Sequence, residues 1–515
     1  MNANRFERFY NQLKFKMSTE FPSARNRTSN SAQAFWIVIG SFSSFAVTLI
    51  SASVLSRYLD KSDYGTYRQI VYVYNTLLVV FSAGLPRVFS YFLPRYPLEE
   101  GRNIIRKIGK MLFFAGAAFS LTLYFFAEII SILLQNPDIA QGLRSFSLVP
   151  AFLLPTLGIE GIFATYRRTL FVAIYNTTTR FLMLIFICMP VVLWDGDHIS
   201  AIHGWLAASF LSFWLALYFK DIPFKGVDNI KTRLRLKEVL KYSTPLMLAS
   251  IWGVATSAAD QFYISRYFGA KEFAVFANGF LSLPFVGMIT SATSVVLTPI
   301  FSKVFHEKEG VTELLAVWRQ ALRKSALILY PLLVFFIAYA NEIMVVLFSH
   351  QYEESGKYFQ INMLLNFFNI IIFAPLFISM GKMKVYSRVH FGLAIIIWIT
   401  HFLLMEGFGF PVLIAINSTF WNVIKILVFM GIASRYMRVK FLDFFPFKFF
   451  SIMLLHSVIG VFFTRWCLSF VPTVSTVSGV IMGASAFALF LVLTSKLFRI
   501  DYLSVYQPLF RKFVK

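Results

Sequence analysis

Seven ionisable residues interrupt stretches that are otherwise apolar: Arg87, Glu128, Glu160, Arg180, Asp260, Glu342 and Lys425. Those stretches run for about 20 residues, the length a helix needs to cross a hydrocarbon core. A charge at the centre of such a helix costs about 2.5–3.5 kcal/mol on insertion scales, so each marks a pathway or a partner. The chemistry on offer differs by sign. Arg and Lys in a wet cavity hold an anion through charge-assisted hydrogen bonds, and the planar arginine fork suits phosphate. A buried carboxylate takes up a proton or holds a cation.

Each position has a plainer reading beside the functional one. Arg87, Arg180 and Lys425 are expected about two turns from one interface, so their heads can snorkel to it. Arg87, however, follows Gly84-Leu85-Pro86, where a helix can bend toward a cavity. Arg180 ends the polar run Asn176-Thr177-Thr178-Thr179, which suits a wet surface. Glu160 either pairs with Arg180 or Arg87 or serves the pathway. Glu128 and Glu342 read as solvated helix ends. Asp260 lies among small residues in SAAD (257–260), a setting for coupling to a proton or sodium gradient. Asn362, Asn366 and Asn369 are spaced by four and three, so they form one helical stripe, for packing or for cavity lining. His390, His401 and His456 stand alone on apolar runs, and Cys188 and Cys467 have no metal-ligand spacing, so no metal site is expected.

Composition says which elements must position these groups. The 515 residues are 57% hydrophobic and 14% charged, with a mean hydropathy of +0.67. A soluble domain carries about 25% charged residues. Apolar runs fall at roughly 34–55, 68–93, 111–134, 145–165, 173–194, 199–219, 243–264, 274–300, 325–348, 359–380, 389–408, 411–431, 447–467 and 478–497. The absence of period-two alternation argues against a transmembrane barrel. The expected fold is all-α and polytopic, with about 14 transmembrane helices.

The net charge of +23 follows the bias that keeps Lys and Arg on the cytoplasmic side, so nucleic acid is not an expected partner. The basic arm 1–33, RNIIRK (102–107), KTRLRLK (231–237), RQALRK (319–324) and SRYMRVK (434–440) all fall on one side. QNPDIAQG (135–142) and WDGDHIS (194–200), on the other side, hold no Lys or Arg. Both termini are therefore expected in the cytoplasm.

The chain also repeats itself. At one constant offset Ser56-Arg57-Tyr58 matches Ser265-Arg266-Tyr267, Asp63 matches Glu272, Tyr64 matches Phe273, and Glu100-Gly101 matches Glu309-Gly310. At nearly the same offset AEIISILL (127–134) matches NEIMVVLF (341–348). Six spans per unit is an even number, so the repeat is parallel, an arrangement that holds substrate between halves in transporters. The expected division is an arm 1–33, a first lobe 34–219, a linker 220–242, a second lobe 243–431, and a final helix pair with a basic tail over 432–515.

SRYLDKSDYGTY (56–67), GLPR (84–87) and SRYFGAKEF (265–273) resemble the Wzx-type oligosaccharide flippases, relatives of the MATE exporters and the lipid II flippase. The resemblance implies two MATE-like six-helix lobes, an optional C-terminal pair, and no enzymatic activity. It implies movement of an undecaprenyl-pyrophosphate-linked oligosaccharide across the bacterial inner membrane, for O-antigen, capsule or exopolysaccharide assembly. Arg87 corresponds by its place after GLP, and cationic cavity residues would hold the pyrophosphate, with Arg180 and Lys425 the other candidates. No cofactor is implied, and a polysaccharide polymerase with its chain-length machinery is a candidate partner. The alternatives are a MATE-like cation-coupled drug exporter, which Asp260 favours, and a membrane glycan polymerase, which would need a large outer loop.

Overall fold

The computed structural model describes residues 30–281, 283–307, 311–471 and 475–502. Most of the arm, the end of the basic tail and the Glu309-Gly310 match lie outside the described residues. In chain order the first unit comprises α1 (Asn30–Tyr58), α2 (Lys61–Ser82), α3 (Pro86–Phe92), α4 (Leu98–Phe125), α5 (Ala127–Leu134), α6 (Asp138–Phe146), α7 (Val149–Leu153), α8 (Ile159–Thr165), α9 (Leu170–Trp194) and α10 (His198–Asp221). The second comprises α11 (Leu236–Gly279), α12 (Pro284–Glu307), α13 (Val311–Ala338), α14 (Ala340–Phe348), α15 (Ser355–Asn369), α16 (Ala374–Ser379), α17 (Met383–Gly407) and α18 (Pro411–Met437). A short α19 (Phe441–Phe444) leads into α20 (Phe447–Leu468) and α21 (Thr476–Thr494).

Among the described residues 12 helices are long and apolar enough to cross a membrane, or 13 if the bent pair formed by α11 and the start of α12 is one span. The expected count of fourteen is not reached by that measure. Ser243, Thr244, Ser250, Thr256 and Ser257 dilute the apolar stretch of α11. Aromatic rings fill the interior: Phe81 stacks on Phe119 at 4.7 Å, and Trp318 packs on Phe444 at 4.4 Å. Outward faces carry exposed apolar side chains such as Phe114, Ile132 and Leu493, as lipid contact requires.

The repeated motif marks the same break in both units. In the first, Asp60 caps α2, its carboxylate accepting from the Ser62 and Asp63 backbone N–H groups at 2.7 and 2.8 Å. In the second, the residue aligned with Asp60 is Gly269, at φ 73 and ψ −170, which kinks α11. The third and ninth apolar runs are each broken too. AEIISILL forms α5 and NEIMVVLF forms most of α14, each a short helix beyond a longer one. Glu128 and Glu342 sit in their first turns, where a carboxylate is favoured by the helix dipole. They pair with Arg144 and Arg465, so both belong to helix ends rather than to a pathway.

The segment between the units is pinned to the start of α4. Arg102 donates to the Phe224 carbonyl at 2.8 Å, Lys107 to that of Leu234 at 2.5 Å, and the Ile230 N–H to that of Glu99 at 3.1 Å.

The two breaks should respond differently to alanine. Asp60→Ala removes a cap worth about 1 kcal/mol, whereas Gly269→Ala forces a side chain into a glycine-only conformation at about 1–3 kcal/mol. Thermal unfolding of the detergent-solubilised chain should rank the losses in that order.

Candidate functional site

A membrane protein tolerates broken helices only where the freed backbone is buried in protein or lines a cavity. α2 and α3 part at Ala83 (φ 49) and Gly84 (φ 68). α7 and α8 part at Leu157-Gly158, with Gly158 at φ 99. In the second unit α15 and α16 part over residues 370–373. The last two breaks occupy corresponding places in the repeat.

The unwound stretch Ile371-Ile372-Phe373 lines a pocket of about 310 Å³. Thr290, Ser291 and Ser294 of α12, Asn369, His390 and Lys425 supply its polar wall. Lys425 Nζ donates to Asn422 Oδ1 at 2.7 Å, and Asn422 in turn donates to the Ser418 carbonyl at 2.8 Å. Among the described residues no carboxylate reaches Lys425. His390 Nε2 is buried there with no hydrogen-bond partner among the described residues. A positive charge, a buried imidazole nitrogen and the Ser291 and Ser294 side chains around an unwound backbone are groups of the kind that hold an anion.

A second pocket, of about 100 Å³, lies in the first unit among Thr48, Ser51, Tyr67, Arg68, Arg180 and Trp205. Arg180 is exposed, and its nearest polar partner is the Met183 sulfur at 3.7 Å. Arg68 donates to the Ala277 carbonyl at 3.1 Å. Arg87 opens α3 directly after the break, as GLPR predicts, and is exposed without a side-chain partner among the described residues.

Several expectations need correction. Arg180 and Lys425 line separate pockets and Arg87 lines neither, so the three bases do not converge on one cavity in this conformation. Glu160, exposed in the first turn of α8, forms no ion pair with Arg87 or Arg180. The asparagine stripe divides by role. Asn362 donates to the Leu281 carbonyl at 2.9 Å and Asn366 to that of Asn362 at 3.0 Å, so both serve packing. Asn369 alone of the three reaches the pocket.

His401 is not alone. Its Nε2 lies 2.9 Å from Asp260 Oδ1, and the two side chains are 0% and 10% exposed. Ser418 donates to the same carboxylate oxygen. Asn417 donates to His401 Nδ1 at 2.7 Å, which leaves Nε2 to carry the ring proton toward Asp260. The result is a buried hydrogen-bonded pair inside the second unit. His456 is also engaged, with Tyr502 and Thr494 at 2.9 and 2.8 Å. Among the described residues no cluster of three metal-ligating side chains exists.

The architecture is that of a multi-pass helical membrane protein. It resembles the lipid II flippase MurJ in an inward closed conformation, with a TM-score of 0.69 at 15% identity over 90% of this chain and 99% of that one. A multidrug resistance MATE transporter of the MOP superfamily gives 0.61 inward-facing (12% identity, 77% of this chain, 94% of that one). Its outward-facing form gives 0.57 (11%, 78% and 94%). A search of curated protein sequences returns no significant match. The profile of one family, described as "Polysaccharide biosynthesis protein", matches residues 54–357, and the chain belongs to that family.

Lys425 offers a test that separates ligand binding from structure. Because no carboxylate would be left unpaired, Lys425→Met should leave the melting temperature unchanged or raise it. A fall of several degrees in detergent would show that the amine holds the fold.

Proposed function

We propose that the chain moves a lipid-linked oligosaccharide, its sugar carried on undecaprenyl pyrophosphate, between the leaflets of the bacterial cytoplasmic membrane by alternating access. Both termini would face the cytoplasm, as the distribution of Lys and Arg suggests, and the product would feed O-antigen, capsule or exopolysaccharide assembly. The observation that carries this reading is Lys425, a base without an acid partner among the described residues in a pocket lined by an unwound helix, with Arg180 and Arg87 likewise unpaired. Such charges are costly to keep in a membrane unless an anion visits them. A diphosphate offers several acceptors, and each charge-assisted contact contributes about 1.5–3 kcal/mol. Arg180 in one unit and Lys425 in the other would close on the headgroup as the units rock, and Arg87 at the break in the second span would receive it. No bond is made or broken in this cycle. A polysaccharide polymerase and its chain-length machinery are the partners that would take the product.

Asp260 and His401 would couple the cycle to a proton gradient, and a sodium ion on Asp260 is the other form of the same idea. The pair favours this over cation export. Asp260 is 7% exposed and is engaged by His401 and Ser418, so an organic cation would have to displace both.

Neutralising the bases should stop transport without removing the protein. In cells whose own gene is deleted, Arg180→Ala with Lys425→Ala should leave the lipid-linked oligosaccharide on the inner leaflet while the protein level holds, and Arg87→Ala should weaken export. Normal surface glycan from the triple variant would overturn the cationic site. Asp260→Asn should retain binding but lose the response to a collapsed proton gradient.

A further inference from the structure

The repeated SRY motif does more than mark the turn. Arg57, at the end of α1, reaches across to the second unit and donates to the last carbonyls of α14, Leu347 at 2.9 Å and Val346 at 2.7 Å. Arg266, its counterpart in α11, reaches back to the first unit and donates to the Leu133 carbonyl of α5 at 2.8 Å. α5 and α14 are themselves repeat counterparts, so each unit's arginine caps the other unit's short outer helix. The final carbonyls of a helix have no partner within it and carry the negative end of its dipole, so a guanidinium is the matching cap.

The contacts beside these caps cross the same seam. Ser53 and Ser56 donate to the Leu347 and Phe348 carbonyls, and Gln351 donates to the Ser56 carbonyl at 2.5 Å. The two SRY turns also meet directly: a Cβ on Gly65 would lie 2.0 Å from the Ala270 carbonyl oxygen, so only glycine allows this approach. Further along α2, Tyr64 donates to Asn278 at 2.8 Å and Gln69 to Ser265 at 2.7 Å.

We infer that Arg57 and Arg266 form a reciprocal latch that holds the outer ends of the two units together, and that both caps must release for the cavity to open outward. They are gating residues and touch no substrate. The latch rests on alternating access but not on the identity of the glycan. Because the two caps are equivalent, each should contribute about two- to fivefold to the closed population, the range a charge at a helix end supplies at the surface.

Spin labels at exposed positions on the two outer ends, Asp138→Cys and Glu354→Cys, with Cys188 and Cys467 replaced by serine, report their separation in the full chain in lipid nanodiscs. Arg57→Ala with Arg266→Ala should move the distance distribution toward the wide state, and each single change should move it part of the way. The paired lysine variants should stay near wild type, since an ammonium also caps a helix end. Gly65→Leu, a wedge in the seam, supplies the wide reference. If the wedge widens the distance and the double alanine variant does not, or if lysine widens it as much as alanine, the latch is wrong while alternating access stands. If even the wedge leaves one narrow distance, latch and alternating access fall together.

Discussion

A hydrocarbon core supplies no hydrogen bonds, so every carbonyl freed by a helix break and every charge must be satisfied by protein or by water in a cavity. This constraint organises the molecule. Helical backbone is interrupted at Ala83-Gly84, at Leu157-Gly158 and over 370–373, and the last of these interruptions lines the pocket that holds Lys425. Two acids at helix ends are paired, Glu128 with Arg144 and Glu342 with Arg465. Lys425, in its pocket, meets no carboxylate among the described residues, and that contrast singles it out.

The duplicated units meet along a seam of mixed character. Tyr64 packs on Tyr352 and Tyr72 on Phe273 across it, within one buried apolar cluster that runs through both units, while polar caps and the close backbone contact at Gly65 line its edge. Parting the seam would therefore break the polar caps and also uncover aromatic surface.

Much of this was legible in the sequence because membrane helices announce themselves by length. The runs 145–165 and 411–431 both proved helical, the first across a break at Leu157-Gly158, and GLPR correctly marked a break. The SRY repeat gave the architecture, yet the cross-unit reach of Arg57 and Arg266 was hidden, since a turn motif does not say which carbonyls its arginine meets. The breaks near Gly158 and before Pro375 had a signal in Leu-Pro-Thr-Leu-Gly and Phe-Ala-Pro that apolar counting ignores. The Asp260–His401 pair was missed for another reason. Its members lie on different helices, and only the rule that a lone charge and a lone imidazole each need a partner would have joined them. The bases divide between two pockets because Arg180 lies within the first unit and Lys425 within the second, and no local pattern says whether the two pockets join.

The central claim is that the unpaired bases carry a pyrophosphate-linked glycan across the membrane, and translocation itself is its most direct measure. Purified chain would be reconstituted into vesicles containing an undecaprenyl-pyrophosphate oligosaccharide in both leaflets, with a glycosidase added outside. With wild-type protein, digestion should continue past the fraction exposed at the start. With Arg180 and Lys425 neutralised it should stop at that fraction. Digestion that halts there with folded wild-type protein under a proton gradient of either sign, or that runs equally far with the neutralised variant, would contradict the account.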